Sequence, residues 1–159
     1  VLGLDRHKRD AAAVATRHEV PVYLPRWMSD VERELDAPVE RYGSELGDSG
    51  FEPVKIRDSS LPRWQEVGLV HREDGTLLVP EAVGTASFFC APGERLGVHP
   101  VLRPIPPRRA LTRYDPDRVL VGHGAGVMND AASTLRRTLD DARTNMPGAY
   151  GQMIRELLS

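Results

Sequence analysis

Cysteine is nearly missing from these 159 residues: Cys90 alone excludes an internal disulfide framework and any zinc knuckle built on cysteines. Long apolar runs are missing too. No stretch approaches the roughly 20 residues that a membrane-spanning helix needs, and the start of the chain carries no signal-peptide pattern. Neither sign of charge dominates, since 21 basic and 23 acidic residues leave a formal net charge of -2. A chain so balanced, with no basic run beyond Arg6–Arg9, lacks the electrostatic footprint of a nucleic-acid binder. Lysine is scarce: Lys8 and Lys55 stand against 19 arginines, a bias that GC-rich coding produces. There is no internal repeat and no low-complexity tract. These absences predict a cytoplasmic protein that engages neither nucleic acid nor a membrane.

What is present is ordinary globular material, 40% hydrophobic and 28% charged, long enough for one domain over residues 1–159 with its own core. Val1-Leu2-Gly3-Leu4 reads as a buried strand, Asp10–His18 as an Ala-rich helix and Val20–Leu24 as a second strand. Strand–helix–strand order implies an α/β layer with parallel strands. Ser29 and Glu32 form a capping box for a short helix to Leu35. Phe51–Ile56 alternates as a strand, and Glu66–His71 with Thr76–Val79 reads as a hairpin around Asp74-Gly75. Five prolines between Gly84 and Thr112 predict a long structured loop. Arg118–Val121 is a strand that ends in Gly122-His123-Gly124. Asn129 then caps a helix with Ala131, Leu135, Leu139 and Ala142 on one face, and a last helix places Tyr150, Ile154 and Leu157 together.

Of the five histidines, His18 suits the end of a helix and His71 a hairpin surface. His99 lies in the proline-rich loop, where Arg95, His99 and Arg103 are candidates for an anionic ligand, or the loop is held by its own ion pairs. His7 and His123 each follow a strand by a residue or two, the position at which α/β sheets build sites. Spacing alone leaves open whether they meet. Neither Ser87 nor Cys90 sits in a nucleophile elbow or beside an evident base.

In chain order, the strand, charged motif, Ala-rich helix and Pro-Val-Tyr-Leu-Pro, then Asp74–Ala82, then Asp115–Gly124 resemble the metallo-β-lactamase-fold hydrolases. The resemblance implies an αββα sandwich, incomplete at the N-terminus because relatives carry further strands before the first motif. On that basis Val1 is expected to be an internal start that leaves an apolar face uncovered and favours self-association. The family's metal motif His-x-His-x-Asp-His corresponds to Asp5-Arg6-His7-Lys8-Arg9-Asp10, so only His7 is kept. Trp64 stands where a later histidine ligand belongs, Glu81 where the bridging aspartate belongs, and His123 is the terminal histidine.

A guanidinium at Arg9 would oppose a metal, because arginine stays charged. It would pair instead with Asp5, Asp10 or Glu81. The expectation is therefore a degenerate, metal-free and non-hydrolytic member of the fold that binds a small molecule, with no cofactor. Its ligand-binding candidates are Asp5, His7, Arg9, Asp10, Trp64, Glu81, Arg95, His99 and His123. The alternative is a hydrolase whose single zinc or other divalent ion is held by Asp5, His7, Glu81 and His123.

Overall fold

A computed structural model describes residues 1–28 and 30–158, the side chains of Glu156 and Leu157 excepted, so the cap expected at Ser29 and the face expected of Leu157 lie outside the described residues. The secondary structure runs α1 (Ala11–His18), β1 (Val22–Pro25), a 3-10 turn (Asp30–Glu34), β2 (Val39–Tyr42), β3 (Phe51–Ser60), β4 (Arg63–His71), β5 (Thr76–Val79) and β6 (Val83–Gly84). It continues with β7 (Gly97–Val98), a 3-10 turn (Pro100–Leu102), α2 (Arg108–Leu111), β8 (Arg118–Val121), α3 (Ala131–Asp141) and α4 (Met146–Leu157). This is a mixed α/β fold.

Its centre is a four-stranded sheet in the order β3-β4-β5-β8. The β4–β5 hairpin forms across Asp74-Gly75 with Leu69 opposite Leu78, and β8 joins β5 in parallel with Val79 opposite Val121. Pro53 is tolerated in β3 because that strand lies at the sheet edge. Helix α3 lays Ala131, Leu135 and Leu139 on the core as its spacing predicts. Leu135 and Leu139 are each 1% exposed, a burial worth about 1.5–3 kcal/mol apiece. The same core holds Trp64, Leu77, Val79 and Val119 from the sheet. On the opposite sheet face, Leu69, Leu78 and Leu120 are only half-buried and line an open groove of about 530 Å³.

Several expectations are corrected. Val1–Leu4 is an extended connector, and not a regular strand. Its backbone is shared between two neighbours: Leu2 N–H donates to Tyr23 O, while Gly3 O and Asp5 N–H bond Val67 and Gln65 of β4. Strand β2 was not foreseen, since Val39-Glu40-Arg41-Tyr42 is short and charged; it forms by parallel pairing with β1, Val22 opposite Val39. The proline-rich loop contains the β6–β7 pair, a 3-10 turn and α2. Asp130, at φ 56°, replaces Asn129 as the residue preceding α3 and makes no side-chain cap. Among the described side chains of α4 Ala149 is buried, whereas Ile154 is half exposed.

Candidate metal centre

The parallel register of β5 and β8 makes the site. Glu81 and His123 each lie two residues beyond the paired ends Val79 and Val121, at the carboxyl ends of adjacent strands. Gly122 and Gly124 are required around the histidine. A Cβ on Gly122 would fall 2.2 Å from Pro80 O, and Gly124 has φ +106°. The His123 carbonyl accepts from Thr85 and Ala86 N–H, and its ring stacks on Phe89 with centroids 5.3 Å apart. His7 arrives from the other side. The connector is anchored to β1 and β4 through Asp5, then turns with His7 N–H donating to Leu4 O.

The three side chains converge on one oxygen. Nε2 of His7 lies 2.9 Å and Nε2 of His123 2.6 Å from Glu81 Oε2. One ligand atom from each of the three lies within 4.8 Å of the others. Burial alone would raise the Glu81 carboxyl, but hydrogen bonds and charge from His7 and His123 outweigh it and hold the group below its ordinary value. His99 faces the other oxygen, with Nε2 3.5 Å from Glu81 Oε1. Desolvation pushes this imidazole down to about 4, so it is neutral near pH 7.

Glu66 carries the support, and the sequence reading passed over it. Its Oε1 accepts from the N–H groups of Glu81 (2.7 Å) and Ala82 (2.8 Å), and its Oε2 from Trp64 Nε1 at 2.7 Å. The turn that presents Glu81 is thereby tied to β4. The available signal was a lone carboxylate in an otherwise apolar alternation, Trp64-Gln65-Glu66-Val67-Gly68-Leu69-Val70.

Other expected site residues lie elsewhere. Arg9 takes Asp10, one of its three expected partners, but at the surface: its side chain is 92% exposed, so the pair neither joins Asp5 and Glu81 nor draws the strand ends together. Asp5 is buried between Arg6 and Arg63, at 3.6 and 3.7 Å, and is not in the convergent group. Trp64 is buried, spends its only donor on Glu66 and lies under the Arg6 guanidinium at 4.3 Å. Arg95 is directed to Asn129 O and Asp130. Arg103 is fully buried and binds Glu94 and the carbonyls of Phe89 and Val98, so it offers nothing to an anion. His7, Glu81, His99 and His123 are the predicted residues that the fold brings together.

A group of two imidazoles and one carboxylate is compatible with a metal ion. An open cleft of about 750 Å³ leads to His7 and His123; Arg6, Arg9 and Asp10 supply its polar lining, and Leu2, Val14 and Val20 are among its apolar walls. No helix is long and apolar enough to cross a membrane among the described residues.

No protein-family model matches the chain, and no curated protein matches it in sequence. Among solved structures it is similar to a metallo-beta-lactamase from Pontibacter korlensis, with a TM-score of 0.50 at 15% identity over 81% of this chain. At that identity the likeness shows the fold alone, which is metallo-β-lactamase-like. The chain spans 62% of the length of that protein.

Proposed function

We propose that this protein is a metal-dependent hydrolase working with a single divalent ion held by His7, Glu81 and His123. The observation that carries the reading is the convergence of both Nε2 atoms on Glu81 Oε2, at 2.9 and 2.6 Å. The donor set fits: two nitrogens and one carboxylate oxygen are a zinc-hydrolase complement that leaves a position open. Zinc bound there would acidify a water molecule and polarise the bond to be cleaved. The fold supports the same reading, since a protein of similar structure is named a metallo-beta-lactamase. Substrate hydrolysis comes to this chain only as a proposal.

The chain's own residues contribute the remainder. Glu81 is the anionic ligand, and the Glu66 carboxylate holds its backbone in place. Arg6 and the Arg9–Asp10 ion pair line the cleft beside the two histidines, together with apolar side chains. That lining suits a small ester or amide with an aliphatic part. Arg9 does not oppose the metal, because its guanidinium is turned to solvent.

The test is direct. Full-length protein stripped with a chelator should take up one zinc per chain and then hydrolyse members of an ester and amide panel. His123→Ala and Glu81→Gln should each lose zinc affinity by at least about tenfold and lose hydrolysis with it. Zinc uptake unaffected by both substitutions would refute the site. Uptake without any hydrolysis would instead favour a metal-bearing binding protein.

A further inference from the structure

We infer that His99 is a positioning residue for Glu81: Val101 N–H fixes its tautomer, which turns Nε2–H toward Glu81 Oε1 and bars the ring from ligating a metal itself. The inference rests on the proposed metal site for its functional consequence, but the tautomer stands on local geometry.

His99 precedes a proline. Pro100 has no N–H, so the first free donor of the 3-10 turn is that of Val101, and it donates to His99 Nδ1 at 3.2 Å. The imidazole is thus the cap of its own turn. A neutral ring whose Nδ1 lone pair is committed carries its proton on Nε2. That nitrogen lies 3.5 Å from Glu81 Oε1, too long for a direct hydrogen bond but within ion–dipole reach of a carboxylate of low exposure. Aromatic walls hold the ring in this pose, with Trp64 at 4.9 Å, Phe89 at 5.4 Å and Phe88 at 5.8 Å between centroids. Its backbone is fixed as well, since His99 N–H donates to Ala82 O.

The two carboxylate oxygens of Glu81 are therefore divided. Oε1 faces the His99 N–H, and Oε2 faces the convergent pair His7 and His123. Such a division sets the plane of the carboxylate and leaves Oε2 as the oxygen presented to a cation. Histidine counting alone would make His99 a third ligand. That role would require Nε2 to lose its proton while Nδ1 still accepts from Val101, leaving an imidazolate, or it would require the cap to break.

Two measurements on the full chain test this. Long-range 15N–1H correlation spectra of the metal-free protein should show His99 protonated on Nε2; a proton on Nδ1 would overturn the assignment. Zinc affinity, read by chelator competition, should fall about 10–100-fold in His99→Phe, which keeps the bulk but removes the N–H. In His99→Gln, whose amide can restore a donor, it should stay within about threefold of wild type. Equal loss in both variants would mark His99 as a ligand, and no loss in either would remove its positioning role. If wild-type protein binds no zinc, the metal proposal fails while the spectra still decide the tautomer. The spectra also decide it if His99→Phe does not fold.

Discussion

Glu66 shows how one buried carboxyl can be both a clamp and a liability. It is 0% exposed, and burial pushes it up to about 7 even though three N–H groups favour its ionised form. Between about pH 4.5 and 7 the folded protein therefore keeps a proton that the unfolded chain has released. Stability from this group is present at the acid end of that window and is lost as pH rises through it, by an amount on the order of 3 kcal/mol. In Glu66→Gln the slope should vanish. One of the amide's ends also meets a donor where an acceptor is needed, at Trp64 Nε1 or at the paired backbone N–H groups, which costs about 1–3 kcal/mol. Urea unfolding at pH 5 and pH 8 checks both effects: the gap between wild type and variant should be larger at pH 5. A gap that widens toward pH 8 would show that the three donors outweigh burial.

Strand ends, and not side chains alone, place the chemistry. Glu81 and His123 are neighbours because β5 and β8 run parallel in register, and Gly122 lets the two strand ends approach. The atom that a Gly122→Ala methyl would meet is the Pro80 carbonyl oxygen, at 2.2 Å, and no side-chain rotation relieves a backbone contact. The substitution should push the Pro80–Glu81 turn from His123 and weaken zinc binding at least about tenfold, with a stability loss of about 1–3 kcal/mol. Chelator competition and thermal melting read these; unchanged zinc affinity in a folded variant would refute the argument. Much of this was legible in the chain. Asp74-Gly75 announces the hairpin, Gly-His-Gly announces a histidine at a strand end, and the four-residue spacing of Ala131, Leu135 and Leu139 announces α3. Two things were not. Motif alignment gives Arg9 a position but not a direction, and a turn just before α1 sends its side chain to solvent. His99 sits among prolines without periodicity, so nothing local reveals its Trp64 and Glu81 contacts. The β1–β2 pairing was hidden because parallel strands are joined by contacts distant in sequence.

At the scale of the molecule the proposed ion would tie two cores together. The main one lies between the central sheet and the helices α2 and α3; a second gathers Leu2, Ala15, Val22, Leu24, Met28 and Val31 around α1 and β1. They meet along β4, where Leu4 turns into the main core while Val67 reaches into the second. His7 follows the connector that bridges them, and Glu81 and His123 extend from the central sheet. A ligand shared across that boundary favours the state in which both cores are docked. At zinc concentrations about 100 times the dissociation constant the gain is about 2.7 kcal/mol, or roughly 5–10 °C in Tm for a chain of this size. Amide exchange should slow in β1 as well as in β5 and β8 when zinc is added. In His7→Ala, residual binding at Glu81 and His123 should protect the β5 and β8 ends alone, leaving β1 at its metal-free exchange rate. Zinc that left β1 exchange unchanged in the wild-type protein would show that His7 does not share the ion and that the two cores dock independently of it.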